Sequence, residues 1–203
     1  MGIIKYDDSV FDCIIDIDDD FDEITSIKRR FILEIKLKNR EGNKSAVVIM
    51  MNPSQADYEK SDRTVNRLLK YIHIQLPNIA KVKILNLYAV YKTNPEDVQN
   101  IINKSNYEYV CGNIRQYGKT NNQYISEEIN GGNIVIIAWG KGEIPKYNKR
   151  IVEVMNLLKG IKLHCVKDLT KEGYPRHPRN WSFKWRLISY GEALKKYEDK
   201  NKK

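Results

Sequence analysis

The segment Asn52-Pro53-Ser54-Gln55-Ala56-Asp57 gathers a carboxamide, a hydroxyl and a carboxylate, and Asp62-Arg63-Thr64 comes shortly after it. Pro53 fixes a turn and keeps Asn52 extended. An Asn or Asp in that setting could orient a water molecule or read the edge of a base. The same residue types also suit a plainer task, capping the next helix, for which Ser61 or Asp62 is a natural N-cap. A second segment, Thr170-Lys171-Glu172-Gly173-Tyr174-Pro175-Arg176-His177-Pro178, joins one of three histidines to two cations and two prolines. Such a stiff basic loop can offer His177 as a hydrogen-bond donor to a developing anion; the competing reading is an ordinary surface-loop histidine. Trp139-Gly140-Lys141-Gly142 brings a ring that could stack on a base or fill the core under its loop, with glycines that allow close approach. Gly112-Asn113 reads as a helix start whose backbone N–H groups could meet an anion.

Other chemistries are excluded by what is missing. There is no nucleophile elbow, P-loop, strand-borne G-x-G-x-x-G or H-E-x-x-H, which argues against α/β-hydrolases, NTPases, dinucleotide oxidoreductases and zincins. Cys13, Cys111 and Cys165 stand far apart with no C-x-x-C spacing and read as small buried hydrophobes in a reducing compartment. His73 and His164 read as structural, one ending a helix and one inside a strand. No metal and no cofactor is expected.

These residues need elements to carry them. Alternation at 31–38, an unbroken apolar run at 46–51 and largely apolar stretches at 82–87, 133–139 and 161–166 read as strands. The stretches 28–38 and 46–51, joined through Glu41-Gly42-Asn43, look like an N-terminal β-hairpin. Helices are expected at 62–72, from Asn94-Pro95 onward, at 113–129, at 147–159 and at 183–196. Buried strands alternating with helices imply an α/β fold, a three-layer αβα sandwich with a mainly parallel central sheet. In such sheets ligands bind beyond the carboxyl ends of the strands. The segments after residues 51, 87, 139 and 166 are where the polar, glycine-rich and aromatic residues fall.

The chain has 203 residues, 35 Lys and Arg against 26 Asp and Glu, and a net charge of +9. Residues 1–27 hold nine acids against Lys5, which is −8 and leaves +17 on the rest. A body this basic attracts a phosphate-bearing ligand, nucleotide or nucleic acid, although abundant Lys, Ile and Asn are also the product of an AT-rich coding sequence. The acidic segment could fold back on the basic body or form a solvated edge. No apolar run reaches the ~20 residues of a membrane span. The first residues lack a signal-peptide pattern, and Tyr6 stands where a myristoylation motif needs Ser or Thr. A cytoplasmic single domain over 1–203 is expected, with a core at 28–185 and a charged tail at 197–203.

The ordered strings Met51-Asn-Pro-Ser-x-Ala-Asp57, Asp62-x-Thr64, Asn86-Leu87-Tyr88-Ala89-x-x-x-Thr93-x-Pro95, Gly112-Asn113, Ala138-Trp139-Gly140 and Leu169-Thr170-Lys171-x-Gly173-x-Pro175-x-His177-Pro178 resemble the DUF1643 family, small bacterial and phage proteins of unassigned function. That family in turn is distantly similar to uracil-DNA glycosylases. The resemblance implies catalytic roles for Asn52 or Asp57, orienting water, and for His177, stabilising a departing base. It implies stacking by Trp139 or Tyr88, and phosphate held by Lys171 and Arg176. Ser54, Asp62, Thr64, Asn113, Gly140 and Thr170 complete the ligand-binding set. The glycosylase string Gly-Gln-Asp-Pro-Tyr is absent, and Arg179-Asn180 replaces the Ser-Pro that comes after His-Pro there. The expected function is nucleotide or nucleic-acid binding with hydrolysis of an N-glycosidic bond. The alternative is a non-catalytic binder that sequesters a free nucleotide or nucleotide-derived signal, as in phage defence.

Overall fold

A computed structural model describes residues 3–23, 25–91 and 95–202. Its strands are β1 (Ile3–Ile4), β2 (Phe11–Asp22), β3 (Ile27–Leu37), β4 (Ser45–Met50), β5 (Ser61–Asp62), β6 (Lys81–Asn86), β7 (Ile134–Ile137), β8 (Leu163–Val166) and β9 (Leu187–Ser189). Its helices are α1 (Arg63–Gln75), α2 (Pro95–Lys104), α3 (Tyr107–Cys111), α4 (Asn121–Glu128), α5 (Tyr147–Leu157) and α6 (Tyr190–Asn201).

Every residue of β4 is buried, as its unbroken Ser-Ala-Val-Val-Ile-Met run requires. It lies at the middle of a seven-stranded sheet ordered β2-β3-β6-β4-β7-β8-β9. Strands β6, β4, β7 and β8 are mutually parallel, while β2, β3 and β9 are antiparallel to their neighbours. The sheet is therefore mixed, a parallel centre with antiparallel flanks, rather than mainly parallel. Val65, Leu68, Leu69 and Ile72 of α1 pack with Val48, Ile84 and Ile136 on one face. On the other face Val98, Ile125, Val154 and Ala193, from α2, α4, α5 and α6, pack with Val47, Leu85 and Val135. Helices thus cover both faces.

The expected pairing of β3 with β4 is corrected. β6 lies between them, antiparallel to β3 and parallel to β4. A strand buried on both faces and both edges takes two parallel partners, and this overrides the local turn chemistry at 41–43. The N-terminal hairpin is instead β2 with β3. β2 had no sequence signature, because Asp disfavours strands. It is held by cross-strand charge pairs: Asp19 with Lys28 at 2.9 Å, Asp20 with Arg29 at 2.8 Å and Asp12 with Lys36 at 2.9 Å. The acidic segment is thus a half-exposed edge strand folded onto basic residues.

Two helix expectations are also revised. Over 113–129 only Asn121–Glu128 is helical, started by a Thr120/Gln123 capping box. Over 183–196 the chain first forms β9, and α6 begins at Tyr190 behind the Ser189 cap. Helix α6 runs through most of the expected charged tail. Thr93 and the helix-starting Asn94 lie outside the described residues. No helix among the described residues is long and apolar enough to cross a membrane.

Asp18 of β2 accepts from Arg115 Nη1 and Tyr124 Oη, each at 2.6 Å, and the Arg115 guanidinium lies 3.9 Å from the Phe31 ring centroid. Burial alone would raise the Asp18 pKa, but these donors outweigh it and hold the carboxyl below its usual range. Arg115→Ala is expected to lower stability by about 2 kcal/mol, read as a shift of the urea midpoint at neutral pH.

Candidate functional site

All four parallel strands send their carboxyl ends to one place. β4 passes into residues 51–55, β6 leads to Tyr91, β7 leads to 140–144, and β8 leads to Thr170, Arg176, His177, Arg179 and Asn180. Together with Asp62 these residues line a cavity of about 710 Å³. That volume lies in the range of small-molecule sites.

Two glycines let these loops meet. Gly140 has φ +72°, and a Cβ there would lie 2.9 Å from the His177 Cβ. A Cβ on Gly142 would lie 2.8 Å from the Tyr147 ring and 3.0 Å from Met51 Sδ. Tyr147 is buried and donates its hydroxyl to the Gly140 carbonyl at 2.6 Å.

Asp62 caps α1, as its sequence position suggested, and it also lines the cavity. It is 3% exposed, and Oδ1 accepts from the Thr64 and Val65 amides at 2.6 and 3.0 Å, capping α1. Its Oδ2 is buried without a hydrogen-bond partner and belongs to a cavity-lining residue. Pairing of β1 with β5 fixes the backbone there, with Ile3 opposite Asp62. An unpaired buried carboxylate oxygen is costly.

His177 is a neutral donor. Burial, then the charge of Arg179, pushes its pKa down to about 4, with Asp62 opposing. Nδ1 accepts from the Arg179 amide at 3.4 Å, so the neutral ring carries its proton on Nε2. Its loop is braced: Trp181 Nε1 donates to the Arg176 carbonyl at 2.8 Å, and Arg176 Nε donates to the Asp168 carbonyl at 2.9 Å. Tyr174 donates its amide to Thr170 Oγ1 at 3.2 Å.

The cavity brings together Asn52, Ser54, Asp62, Gly140, Thr170, Arg176 and His177. The other sequence candidates stand elsewhere. Asp57 Oδ1 accepts from the Glu59 and Lys60 amides at 2.9 and 2.8 Å, closing an Asx turn. Thr64 is buried in the first turn of α1. Trp139 and Tyr88 are core residues, and Tyr88 donates its hydroxyl to the Pro145 carbonyl at 3.3 Å. Gly112 ends α3 in a left-handed conformation instead of starting a helix, and Asn113 donates to Glu108 at 2.9 Å. Lys171 is exposed and outside the lining. The aromatic residue that does line the cavity is Tyr91, and the rim adds Gln55, Lys141, Glu143, Arg179 and Asn180. Their signal was position alone, in the same strand-end loops.

His164, Cys111 and Cys165 belong to the packed fold. His164 Nδ1 lies 3.3 Å from the Val135 carbonyl, and burial lowers its pKa. Burial pushes the Cys111 and Cys165 thiols up to about 12, whereas Cys13 is exposed, against expectation. Among the described residues no cluster of His, Cys, Asp or Glu could hold a metal ion.

The model of a family described as "Protein of unknown function (DUF1643)" matches residues 30–179. The chain belongs to the DUF1643 family. The matched stretch runs from β3 into the 3-10 turn Pro178–Asn180 and takes in every cavity residue except Asn180. It leaves β2 and α6 of this DUF1643 protein outside. No curated protein and no solved structure matches the chain.

Gly140→Ala is expected to destabilise the fold by about 1–3 kcal/mol, read by thermal unfolding, because it adds strain at positive φ and displaces His177. A second expectation concerns acid. Because the folded-state pKa of His177 is about 4 against roughly 6.5 unfolded, the unfolded chain binds more protons between these values. The stability it contributes is whole above the upper value and is lost as pH falls towards the lower one. Urea midpoints across that window should fall less for His177→Gln than for the parent protein.

Proposed function

We propose that the cavity binds a nucleotide unit and hydrolyses its N-glycosidic bond. The observation that carries this reading is the pairing of Asp62 Oδ2, an acceptor without a partner, with the neutral His177 donor in one cavity rimmed by cations. Asp62 and the Asn52 amide hold a water. The water oxygen attacks the sugar C1′, the C1′–N bond breaks, and its electron pair leaves with the base. His177 Nε2–H donates to the oxygen on which that charge gathers. The water proton passes to Asp62 and then to the departing base. Asp62 thereby takes the role expected of Asp57, and Tyr91 takes the stacking role expected of Trp139 or Tyr88. Arg179 and Lys141 face the phosphate, since Arg176 is occupied with backbone carbonyls. The arrangement favours a uracil-DNA-glycosylase-like design on general grounds: a polar loop after one parallel strand and a His-Pro loop after another.

A second reading, a non-catalytic binder of a free nucleotide, draws on the anchoring of Asp62. With Oδ1 committed to the helix cap, only Oδ2 remains to act as a base. Incubation of excess protein with uracil- or hypoxanthine-containing DNA, with chromatographic detection of released base, separates the two. Release should occur and drop by about 10²-fold or more in Asp62→Asn and His177→Ala. Ligand-induced stabilisation without release would leave the binder; no stabilisation by nucleotides or DNA would remove both.

A further inference from the structure

We infer that the nucleotide unit belongs to a single-stranded polynucleotide whose neighbouring phosphates lie along a basic strip leading away from the cavity through Arg179, Lys167, Lys184 and Arg186. This rests on the nucleotide reading of the cavity and specifies its substrate class.

The strip is continuous. Arg67 of α1 donates to the carbonyls of Arg179 and Trp181 at 3.1 and 3.3 Å. The Lys167 amide donates to the Arg186 carbonyl at 3.0 Å, so residues 167 and 186 are neighbours. One ring ties the strip to the cavity: Trp185 carries Lys167 Nζ at 4.3 Å and the cavity-lining Arg176 at 5.4 Å from its centroid. Arg179, Lys167, Lys184 and Arg186 are all exposed.

The strip is also uncompensated. Residues 167–186 contain six bases and only two acids, Asp168 and Glu172. The Asp168 carboxylate is held by Lys200 at 3.2 Å and Lys196 at 3.8 Å, and Glu172 faces Lys141 at 3.9 Å. A free nucleotide needs cations only at the cavity mouth, where Arg179 and Lys141 suffice. Lys167, Lys184 and Arg186 lie outside the cavity lining and match the phosphates of adjoining units. Burying one unit also requires its base to be unpaired, which favours a single strand over a duplex.

Fluorescence anisotropy with labelled oligothymidylate, and calorimetry with thymidine monophosphate, test this. The oligonucleotide should bind at least about tenfold more tightly at low salt, and more tightly than its duplex. Lys184→Ala/Arg186→Ala should weaken oligonucleotide binding roughly tenfold and flatten the log–log salt slope by about 1.4, with monophosphate affinity unchanged. Lys44→Ala/Lys162→Ala, an equal loss of charge at the opposite ends of β4 and β8, should alter neither. Equal affinity for oligonucleotide and monophosphate, an equal effect of the two double variants, stronger binding of duplex, or equally tight binding of polyglutamate would overturn the inference while leaving the cavity reading intact. Failure of both nucleotide ligands to bind would remove the cavity reading and this inference together.

Discussion

Strand β4 has neither an exposed face nor a free edge, and this sets the placement of the site. Its ladder continues beyond the strand ends: the Leu87 amide donates to the Met50 carbonyl at 2.9 Å, Tyr88 to Met51 at 3.0 Å, and Ala138 to Ile49 at 2.8 Å. These bonds set where the loops after β4, β6 and β7 begin relative to one another. A slip of one residue would turn Val48 and Ile49 to the wrong faces and carry Asn52 away from Gly140. The cavity inherits its accuracy from core packing.

Two residues at or beside that cavity carry polar atoms left unpaired at a cost to stability. Asp62, through Oδ2, is one. Arg30 is another: fully buried, it donates to the Ala56 carbonyl at 2.7 Å while Nε and Nη2 have no partner. Its guanidinium sits 5.5 Å from the ring of Tyr91, a cavity residue. A fold selected for stability alone would satisfy such groups. The Asp62 carboxylate and the Arg30 guanidinium behind Tyr91 fit a site whose polar atoms are arranged for a ligand, while Arg40, Asn86 and Asn121 carry further unpaired atoms outside the lining.

The strands buried on both faces were legible because a run such as Ala46-Val-Val-Ile-Met has one comfortable home. The convergence of Asn52, Gly140 and His177 was legible for the same reason, since parallel strands deliver their outgoing loops to one end of the sheet. Competition over longer range was not legible. Nothing near residues 38–44 says that β6 will enter between β3 and β4, and the Asp-rich β2 becomes a strand only when Lys28, Arg29 and Lys36 lie opposite. Trp139 and Tyr88 misled because a strand-end aromatic residue can face either the core or the loops, and both face the core. Tyr91 carried no motif of its own.

The acids of β2 lie at one edge of the sheet, and the chain segment around Lys184 and Arg186 leads into β9 at the other. Six inter-strand steps of ~4.8 Å place these edges roughly 29 Å apart, several times the ~8 Å Debye length of physiological salt. Asp12, Asp18, Asp19 and Asp20 are each paired with a cation beside them, so the first edge is largely self-compensated, whereas the segment 167–186 keeps a surplus of bases. A polyanion of the proposed kind would therefore feel its attraction at the second edge, with the paired charges of the hairpin adding little pull or push.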